Sequence, residues 1–230
     1  MIVAALIAGW LLRNQQRPLR LSLGQRLGIA VGALVGATFA AKLPFVWGRT
    51  EFGLAAWMAD GKTILWALTG GYIGVEVAKW SLHVRQRTGD TFVIPVAIAI
   101  AIGRLGCLTF GCCYGLPTEL PWGVCFVTAE DGGTLARHPT QVYEVAFHVT
   151  AALTACWMQR RGIMKTNLMP AYIAAYGIYR FLTEFLRPEE RVWAGLTFYQ
   201  LSAVPITLAM LMIIAFRRLR SEPQAPLLPE

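Results

Sequence analysis

The sequence is short of charged residues. Only 15% of its 230 residues are charged, while 56% are hydrophobic. A soluble domain carries about 25% charged residues. So little charge cannot cover a large water-facing surface, which argues against an ordinary soluble domain and indicates that much of the surface faces lipid.

The sequence also lacks a continuous basic face, a disulfide scaffold and an internal repeat. The basic residues give a net charge of +8 but form no continuous face and lie between apolar runs, so we expect no nucleic-acid partner. Five cysteines in a chain of this length do not make a disulfide scaffold. No internal repeat is visible, which argues against a transporter built from inverted repeats.

Seven apolar runs are present, and most approach the ~20 residues that a helix needs to cross ~30 Å of hydrocarbon. They predict an all-α integral membrane protein, a seven-transmembrane-helix bundle. Residues 1–220 would form a single transmembrane domain, and residues 221–230 a disordered cytoplasmic tail. The runs cover residues 2–12, 27–48, 63–82, 91–110, 141–158, 168–186 and 196–216.

The lysines and arginines between these runs are unevenly divided. Cytoplasmic connections carry the excess of basic residues in membrane proteins. The N-terminus is therefore predicted outside and the C-terminus in the cytoplasm. The basic side carries thirteen, namely Arg13, Arg17, Arg20, Arg26, Lys79, Arg85, Arg87, Arg160, Arg161, Lys165, Arg217, Arg218 and Arg220, and the other side six, namely Lys42, Arg49, Lys62, Arg137, Arg187 and Arg191.

The longest connection lies between the fourth and fifth runs, on the predicted outer face. It has about 30 residues and is rich in glycine, proline and turn formers. Its segment WGVCFV, residues 122–127, has the β-branched and aromatic content of a short strand. We therefore expect a small ordered cap on the outer face.

Two arginines, Arg104 and Arg180, fall inside apolar runs. A charge inside a span costs roughly 2.5–3.5 kcal/mol even on the most permissive scale, and such residues usually mark functional sites. Arg104 is near the end of its run, where its side chain could instead reach the interface. Glu184 follows Arg180 by four residues, the spacing of an ion pair on one helix face.

Four segments resemble the prolipoprotein diacylglyceryl transferase family. The first, GRLG followed by two further glycines and LPWGV, resembles the family's signature stretch. The second, RHPTQVYE, is similar to the family's RHPSQLYE. The third, YGIYRFLTEFLRP, matches its YGxxRxxxEFxRxP helix. GLTFYQ matches the start of its last helix. The segments occur in the family's order within residues 60–215 and begin at residues 103, 137, 176 and 195.

The sequence departs from the family pattern at several positions. The family's HGG motif corresponds to Thr69-Gly70-Gly71, without the histidine. Its signature asparagine and glutamate are replaced by Cys107 and Cys112. The family's large outer head is reduced to a short loop. This pattern indicates a divergent branch.

The resemblance implies a multi-pass protein of the bacterial cytoplasmic (inner) membrane, with a site open to the outer leaflet and no cofactor. A lipobox cysteine thiol would attack the glyceryl carbon of phosphatidylglycerol and expel glycerol phosphate. The partners would be phosphatidylglycerol, the prolipoprotein signal peptide or another outer-face acceptor, and membrane lipid. The alternative is a non-catalytic phospholipid-binding membrane protein that kept the fold.

The same resemblance, taken with the chemistry, yields candidate site residues. Arginine suits a phosphate leaving group because its planar fork binds two oxygens, and His138 is the candidate base for the thiol. The glycines would allow close approach of a headgroup or simply of neighbouring helices. The catalytic candidates are Arg104, Arg180 and His138, and the substrate-binding candidates are Gly70, Gly71, Gly103, Gly115, Arg137, Gln141, Tyr143 and Glu184.

Three cysteines, Cys107, Cys112 and Cys113, cluster at the predicted outer face. That compartment is oxidising, so we expect a disulfide that includes Cys107 or Cys112. A metal site and plain packing are the alternatives. The spacing CxxxxCC is not a standard zinc pattern, and no metal is predicted.

Overall fold

The computed structural model describes residues 2–47, Trp57 and residues 63–221. These residues form seven α-helices, separated by turns, two short 3₁₀ segments and two small hairpins. The helices are α1 (Ile2–Gln16), α2 (Leu23–Trp47), α3 (Ile64–Ser81), α4 (Val93–Phe110), α5 (Thr140–Arg161), α6 (Leu168–Thr183) and α7 (Phe198–Ser221).

Three of the described segments are long and apolar enough to cross a membrane: Leu23–Val46, Gly89–Phe110 and Phe198–Arg220. Of the other helices, α5 has 22 residues, whereas α1 is short, with 15 residues, and α6 is short, with 16. At ~1.5 Å per residue, such helices extend about 22–24 Å, less than the ~30 Å hydrocarbon core. The mostly helical fold is thus confirmed, with three segments able to cross a membrane, while the number of seven spans stays a prediction.

Helices α2 and α3 pack closely because glycines face each other. A Cβ atom built on Gly36 would lie 2.3 Å from the Gly70 carbonyl oxygen, and one built on Gly74 would lie 2.1 Å from that of Gly32. Stripes of small residues at a spacing of four allow this backbone approach between membrane helices.

The remaining helices pack in pairs around an apolar core. Helix α4 packs along α5 and α6 along α7, while α1 contacts α4. Ile29, Ala97 and Ile173 are fully buried in the core. Large apolar side chains point outward elsewhere, with Trp80 82% exposed and Leu153 67% exposed. This outward apolar surface suits contact with lipid.

Both ends of the bundle are tied by hydrogen bonds between distant segments. At one end, the Asp90 carboxylate accepts hydrogen bonds from the backbone N–H groups of Thr166 and Leu168, and Arg217 donates to the Thr166 carbonyl. At the other end, the Leu116 N–H donates to the Leu186 carbonyl. The connections after α3, after α5 and at the end of α7 therefore meet at one end of the molecule.

The connection from α4 to α5 contains a small antiparallel hairpin. Strand Val124–Cys125 pairs with Ala136–Arg137, so a strand occurs within the segment 122–127. A second hairpin pairs Arg191–Trp193 with Leu196–Thr197 before α7. An ordered cap on the outer face stays a prediction.

Two sequence-based boundaries need comment. Helix α6 ends at Thr183, earlier than the run 168–186, because Glu184–Leu186 tightens into a 3₁₀ turn ahead of Pro188. The tail prediction for residues 221–230 falls outside the described residues except at Ser221, the last residue of α7.

Candidate active site

Arg104 and Arg180 come from different helices and line one cavity of about 320 Å³. Arg187, just beyond α6, lines it too. Its other walls come from the start of α3 and the start of α7. The cavity is lined by Phe45, Thr63, Ile64, Leu65, Trp66, Arg104, Cys113, Tyr176, Arg180, Arg187, Glu189, Tyr199 and Ser202.

Glu144, in the first turns of α5, joins two of these arginines. Arg104 contacts its carboxylate twice, with Nε 2.9 Å from Oε2 and Nη2 3.1 Å from Oε1. Arg187 Nη2 lies 3.2 Å from Oε2, and the Tyr176 hydroxyl donates to Oε1 at 2.5 Å. Glu144 is 0% exposed. A buried carboxylate with this many donors holds α4, α5 and α6 in one arrangement.

Arg180 belongs to a second buried pair. Its Nη2 lies 2.7 Å from Glu184 Oε2, which confirms the i,i+4 ion pair expected from the spacing. The Thr197 hydroxyl donates to Glu184 Oε1 at 3.1 Å. The guanidinium also stacks over the Tyr199 ring, 5.1 Å from its centre, a contact favourable to a cation.

Some arginine N–H groups at the cavity have no hydrogen-bond acceptor among the described residues. These are Arg180 Nη1 and Arg187 Nε, both buried. A buried donor without an acceptor costs about 1–3 kcal/mol, more when it is charged. A bound oxyanion such as phosphate would accept these hydrogen bonds, so the cavity is suited to an anionic ligand.

His138, the candidate base, lies elsewhere. Its Nδ1 is 3.2 Å from the Tyr143 hydroxyl, which also accepts a hydrogen bond from Trp122 Nε1 at 2.8 Å. His138 is not among the described residues that line the arginine cavity. The structure therefore does not bring His138 together with Arg104 and Arg180.

A different histidine lies closer to the arginine cluster. His148 Nε2 is 3.9 Å from Glu144 Oε1, and its Nδ1 is 2.8 Å from the Tyr172 hydroxyl. Its side chain is fully buried. His148 supports Glu144 from behind the cavity.

The candidate glycines occupy several different environments. Gly70 packs against α2 and Gly71 lines an apolar cavity, while a Cβ built on Gly103 has no atom of the described residues within 4 Å. Gly115 is close-packed, since a built Cβ would lie 2.5 Å from the Leu186 carbonyl oxygen. None of these glycines lines the arginine cavity in the described part of the chain.

The other substrate-binding candidates support the loop above the site. Gln141 is fully buried and donates to the Cys112 carbonyl at 2.6 Å. Arg137 pairs with Asp131 at 3.1 Å and stacks over Tyr114. The carboxyl pKa of Asp131 is lowered, chiefly by the hydrogen bond from the Leu135 N–H. Tyr143 lines an apolar cavity of about 560 Å³ between α4, α5 and α6.

All five cysteines are free thiols, so the disulfide expected at Cys107 or Cys112 is not formed. The sulfur atoms of Cys112 and Cys113 are 3.7 Å apart, well beyond the ~2.05 Å of a disulfide. Burial, together with the neighbouring Cys113, raises the pKa of the Cys112 thiol to about 12. The Cys112 thiol is therefore protonated at neutral pH.

Sequence reasoning missed the residues that organise the site: Glu144, Arg187 and Tyr176. A signal was available for Glu144, because an acidic residue inside the apolar run 141–158 is as unusual as an arginine inside one. Arg187 belongs to the family motif YGxxRxxxEFxRxP, but it lies between two apolar runs, where a basic residue is ordinary.

The chain is similar in sequence to a known family of proteins. The family described as prolipoprotein diacylglyceryl transferase matches residues 1–216. Curated proteins named phosphatidylglycerol–prolipoprotein diacylglyceryl transferase are similar. The protein of Ectopseudomonas mendocina is 31% identical over 82% of this chain and 74% of its own length. The protein of Pseudomonas syringae pv. syringae is 31% identical over 83% of this chain and 75% of its own length.

A third relative, from Clostridium tetani, is 34% identical over 58% of this chain. The match spans only 55% of that protein's length. Since the family match covers nearly the whole chain, this protein belongs to the prolipoprotein diacylglyceryl transferase family.

Proposed function

We propose that this protein transfers the diacylglyceryl group of phosphatidylglycerol to the thiol of a lipobox cysteine, or to a related outer-face acceptor. The observation that carries the proposal is the cavity where Arg104, Arg180 and Arg187 converge, with buried arginine N–H groups that find no acceptor among the described residues. Family membership supports the same chemistry.

In this reaction, a carbon–sulfur bond forms at the glyceryl carbon while the bond from that carbon to the phosphate oxygen breaks. Glycerol phosphate leaves with the bonding electrons, and the thiol loses its proton. The arginines would bind the phosphate and stabilise the charge that develops on it.

The buried carboxylates would position the arginines. Glu144 fixes Arg104 and Arg187 from one side, and Glu184 fixes Arg180 from the other. Donors that are already oriented need not reorganise when charge develops, which is the main source of electrostatic catalysis. Gly70 and Gly71 would contribute to helix packing, and Gly103 to open space beside Arg104.

Two apolar cavities offer space for acyl chains. One measures about 560 Å³ and is lined by Tyr143, Phe147 and Tyr179 among others. The second, of about 190 Å³, lies between α2, α3 and α4. We propose that they hold the diacylglyceryl chains while the headgroup occupies the arginine cavity.

The acceptor of the thiol proton is a separate part of the proposal. We propose that His138 accepts this proton. Its imidazole contacts the hydroxyl of Tyr143, which lines the larger apolar cavity. An acceptor peptide entering between the two cavities would bring its thiol toward this pair. His138→Asn should then abolish transfer but leave binding of phosphatidylglycerol intact.

Seven spans, an outside N-terminus, a cytoplasmic C-terminus and placement in the bacterial inner membrane complete the proposal. They put the arginine cavity and the connection from α4 to α5 on the outer side. An outer-face acceptor would then meet the site directly, with Arg137, Gln141 and Gly115 ordering the loop above it.

The test is a transfer assay with purified protein, isotopically labelled phosphatidylglycerol and a lipobox peptide. A peptide mass gain equal to one diacylglyceryl group supports the enzyme. Arg85→Lys is the matched control, since Arg85 is an exposed arginine far from the cavity. Saturable binding of phosphatidylglycerol without transfer would instead establish the non-catalytic lipid-binding alternative.

A further inference from the structure

The three cysteines next to the arginine cavity form a compact group of thiols. Cys107 lies in the last turn of α4, and Cys112 and Cys113 follow the helix end. The three sulfur atoms all lie within 4.8 Å of one another. The chemistry proposed above uses none of them.

The backbone holds these thiols in place from two sides. The Cys112 N–H donates to the Cys107 carbonyl at 3.1 Å, closing the end of α4. From α5, Gln141 donates to the Cys112 carbonyl at 2.6 Å and the Thr140 hydroxyl to the Cys113 carbonyl at 2.7 Å. The sulfur atoms are therefore gathered by the fold and not by chain proximity alone.

The spacing of the sulfur atoms suits a metal ion. With metal–sulfur bonds of ~2.3 Å, three thiolates around one ion lie about 3.8–4.0 Å apart, depending on whether the site is tetrahedral or trigonal. The Cys112 and Cys113 sulfur atoms are already 3.7 Å apart, and no pair exceeds 4.8 Å, so the widest needs to close by at most about 1 Å.

The donor set selects the kind of ion. Within the described residues, no histidine or carboxylate joins the three thiols. Thiolate sulfur favours soft ions such as Cu(I) and Zn(II), and structural zinc almost always takes four protein ligands. We propose that Cys107, Cys112 and Cys113 bind one Cu(I) ion as three thiolates.

Binding needs no oxidant or reductant. Each thiol releases its proton to solvent as its sulfur forms a bond to copper, and copper stays in the +1 state. Because protons compete with the ion, affinity should rise with pH. The argument for the ion does not rest on diacylglyceryl transfer, so either proposal can fail without the other, although Cys113 also lines the arginine cavity.

The experiment uses the detergent-purified full chain, fully reduced and kept under anaerobic conditions. The reference is the double variant C125S/C156S, which leaves only the cluster cysteines. Cu(I) is titrated against a colorimetric chelator. We expect one ion per chain in the wild type and in C125S/C156S, with three sulfur neighbours in X-ray absorption spectra.

Each of C107S, C112S and C113S, made in that background, removes a ligand. The affinity of each variant for Cu(I) should fall by more than roughly 10- to 100-fold, which is the cost of losing a residue that only hydrogen-bonds to a metal ligand. Unchanged affinity in any of the three, loss of the ion in C125S/C156S, or fewer than three sulfur neighbours would overturn the proposal. So would one bound Zn(II) with no Cu(I) binding.

A second measurement covers variants that fail to fold. In the wild type, Cu(I) should slow alkylation of Cys107, Cys112 and Cys113, mapped by mass spectrometry, while Cys125 reacts at its ion-free rate. Equal alkylation of the cluster with and without Cu(I) would contradict the site.

Discussion

At the scale of single residues, the shape of the guanidinium group decides what Arg104 and Arg180 can do. Arg104 already uses two nitrogens on Glu144, and Arg180 uses one on Glu184 while Nη1 has no hydrogen-bond acceptor among the described residues. An arginine can hold a carboxylate with one edge and present further N–H groups to a ligand. Lysine, as a point donor, cannot reproduce that geometry.

Arg104→Lys and Arg180→Lys should therefore each lower the transfer rate by roughly 10- to 100-fold, the equivalent of a lost charged hydrogen bond. Membrane abundance should stay normal because the charge is kept. The transfer assay and quantitative immunoblotting measure the two effects, with Arg85→Lys as control. Full activity in either variant would remove that arginine from the site.

Glu184→Gln separates two views of the Arg180 pair. If Glu184 only orients Arg180, the loss of activity should be milder than for Arg180→Lys. If the pair is structural, removing one charge leaves the other uncompensated at a cost of about 3–5 kcal/mol. Abundance of Glu184→Gln would then fall as far as that of Arg180→Gln, which the same immunoblots would reveal.

Glu144→Gln should be the most damaging single change to stability. It leaves Arg104 and Arg187 without their shared carboxylate, and breaking a buried ion pair costs roughly 3–5 kcal/mol. We expect a lower melting temperature of the purified protein in detergent. Glu119→Gln, at an exposed acidic residue, is the matched control. Equal melting temperatures for the two variants would contradict the central role of Glu144.

At the scale of elements, the contact between α2 and α3 depends on glycines that face backbone atoms. Gly74 has the Gly32 carbonyl directly opposite. Backbone atoms cannot rotate away as a flexible side chain can, so an added methyl group must push the two helices apart. This contact positions the start of α3, which forms one wall of the arginine cavity.

Gly74→Ala should lower stability by about 1–3 kcal/mol, the usual range for an overpacked interface. Gly106→Ala provides the control, because no atom of the described residues lies within 4 Å of a Cβ built there and alanine favours the helix. Thermal unfolding in detergent measures both. The packing argument fails if Gly74→Ala melts no lower than Gly106→Ala.

At the scale of the whole molecule, three connections meet at the end of the bundle that is predicted to be cytoplasmic. Hydrogen bonds join them there, from residues 166–168 to Asp90 and from Arg217 to Thr166. The connections rich in lysine and arginine thus share one end of the bundle. The arginine cavity lies toward the other end. The distribution of basic residues predicts an orientation in which the end rich in lysine and arginine faces the cytoplasm.

A scan of alkaline phosphatase and fluorescent protein fusions tests that orientation. Fusions within residues 13–26, 84–90 and 159–166 and at the C-terminus should fluoresce and lack phosphatase activity. Fusions between α4 and α5 should show the reverse. An outside C-terminus would contradict both the seven-span topology and an outer-face site.

The sequence by itself determined the class of protein and part of the site. Low charge and long apolar runs are properties of composition, and they predicted a helical membrane protein without any coordinates. The i,i+4 spacing of Arg180 and Glu184 is set by the pitch of one helix, so their pairing was also predictable.

Only the tertiary structure decided which side chains meet across helices. Arg104 and Glu144 are 40 residues apart, and their contact depends on the rotation and depth of α4 against α5, which no local pattern specifies. The same packing brought Arg187 into the cavity, turned Gly70 toward α2 and left His138 beside Tyr143. Contacts within a helix follow from the sequence, whereas contacts between helices depend on how whole surfaces pack.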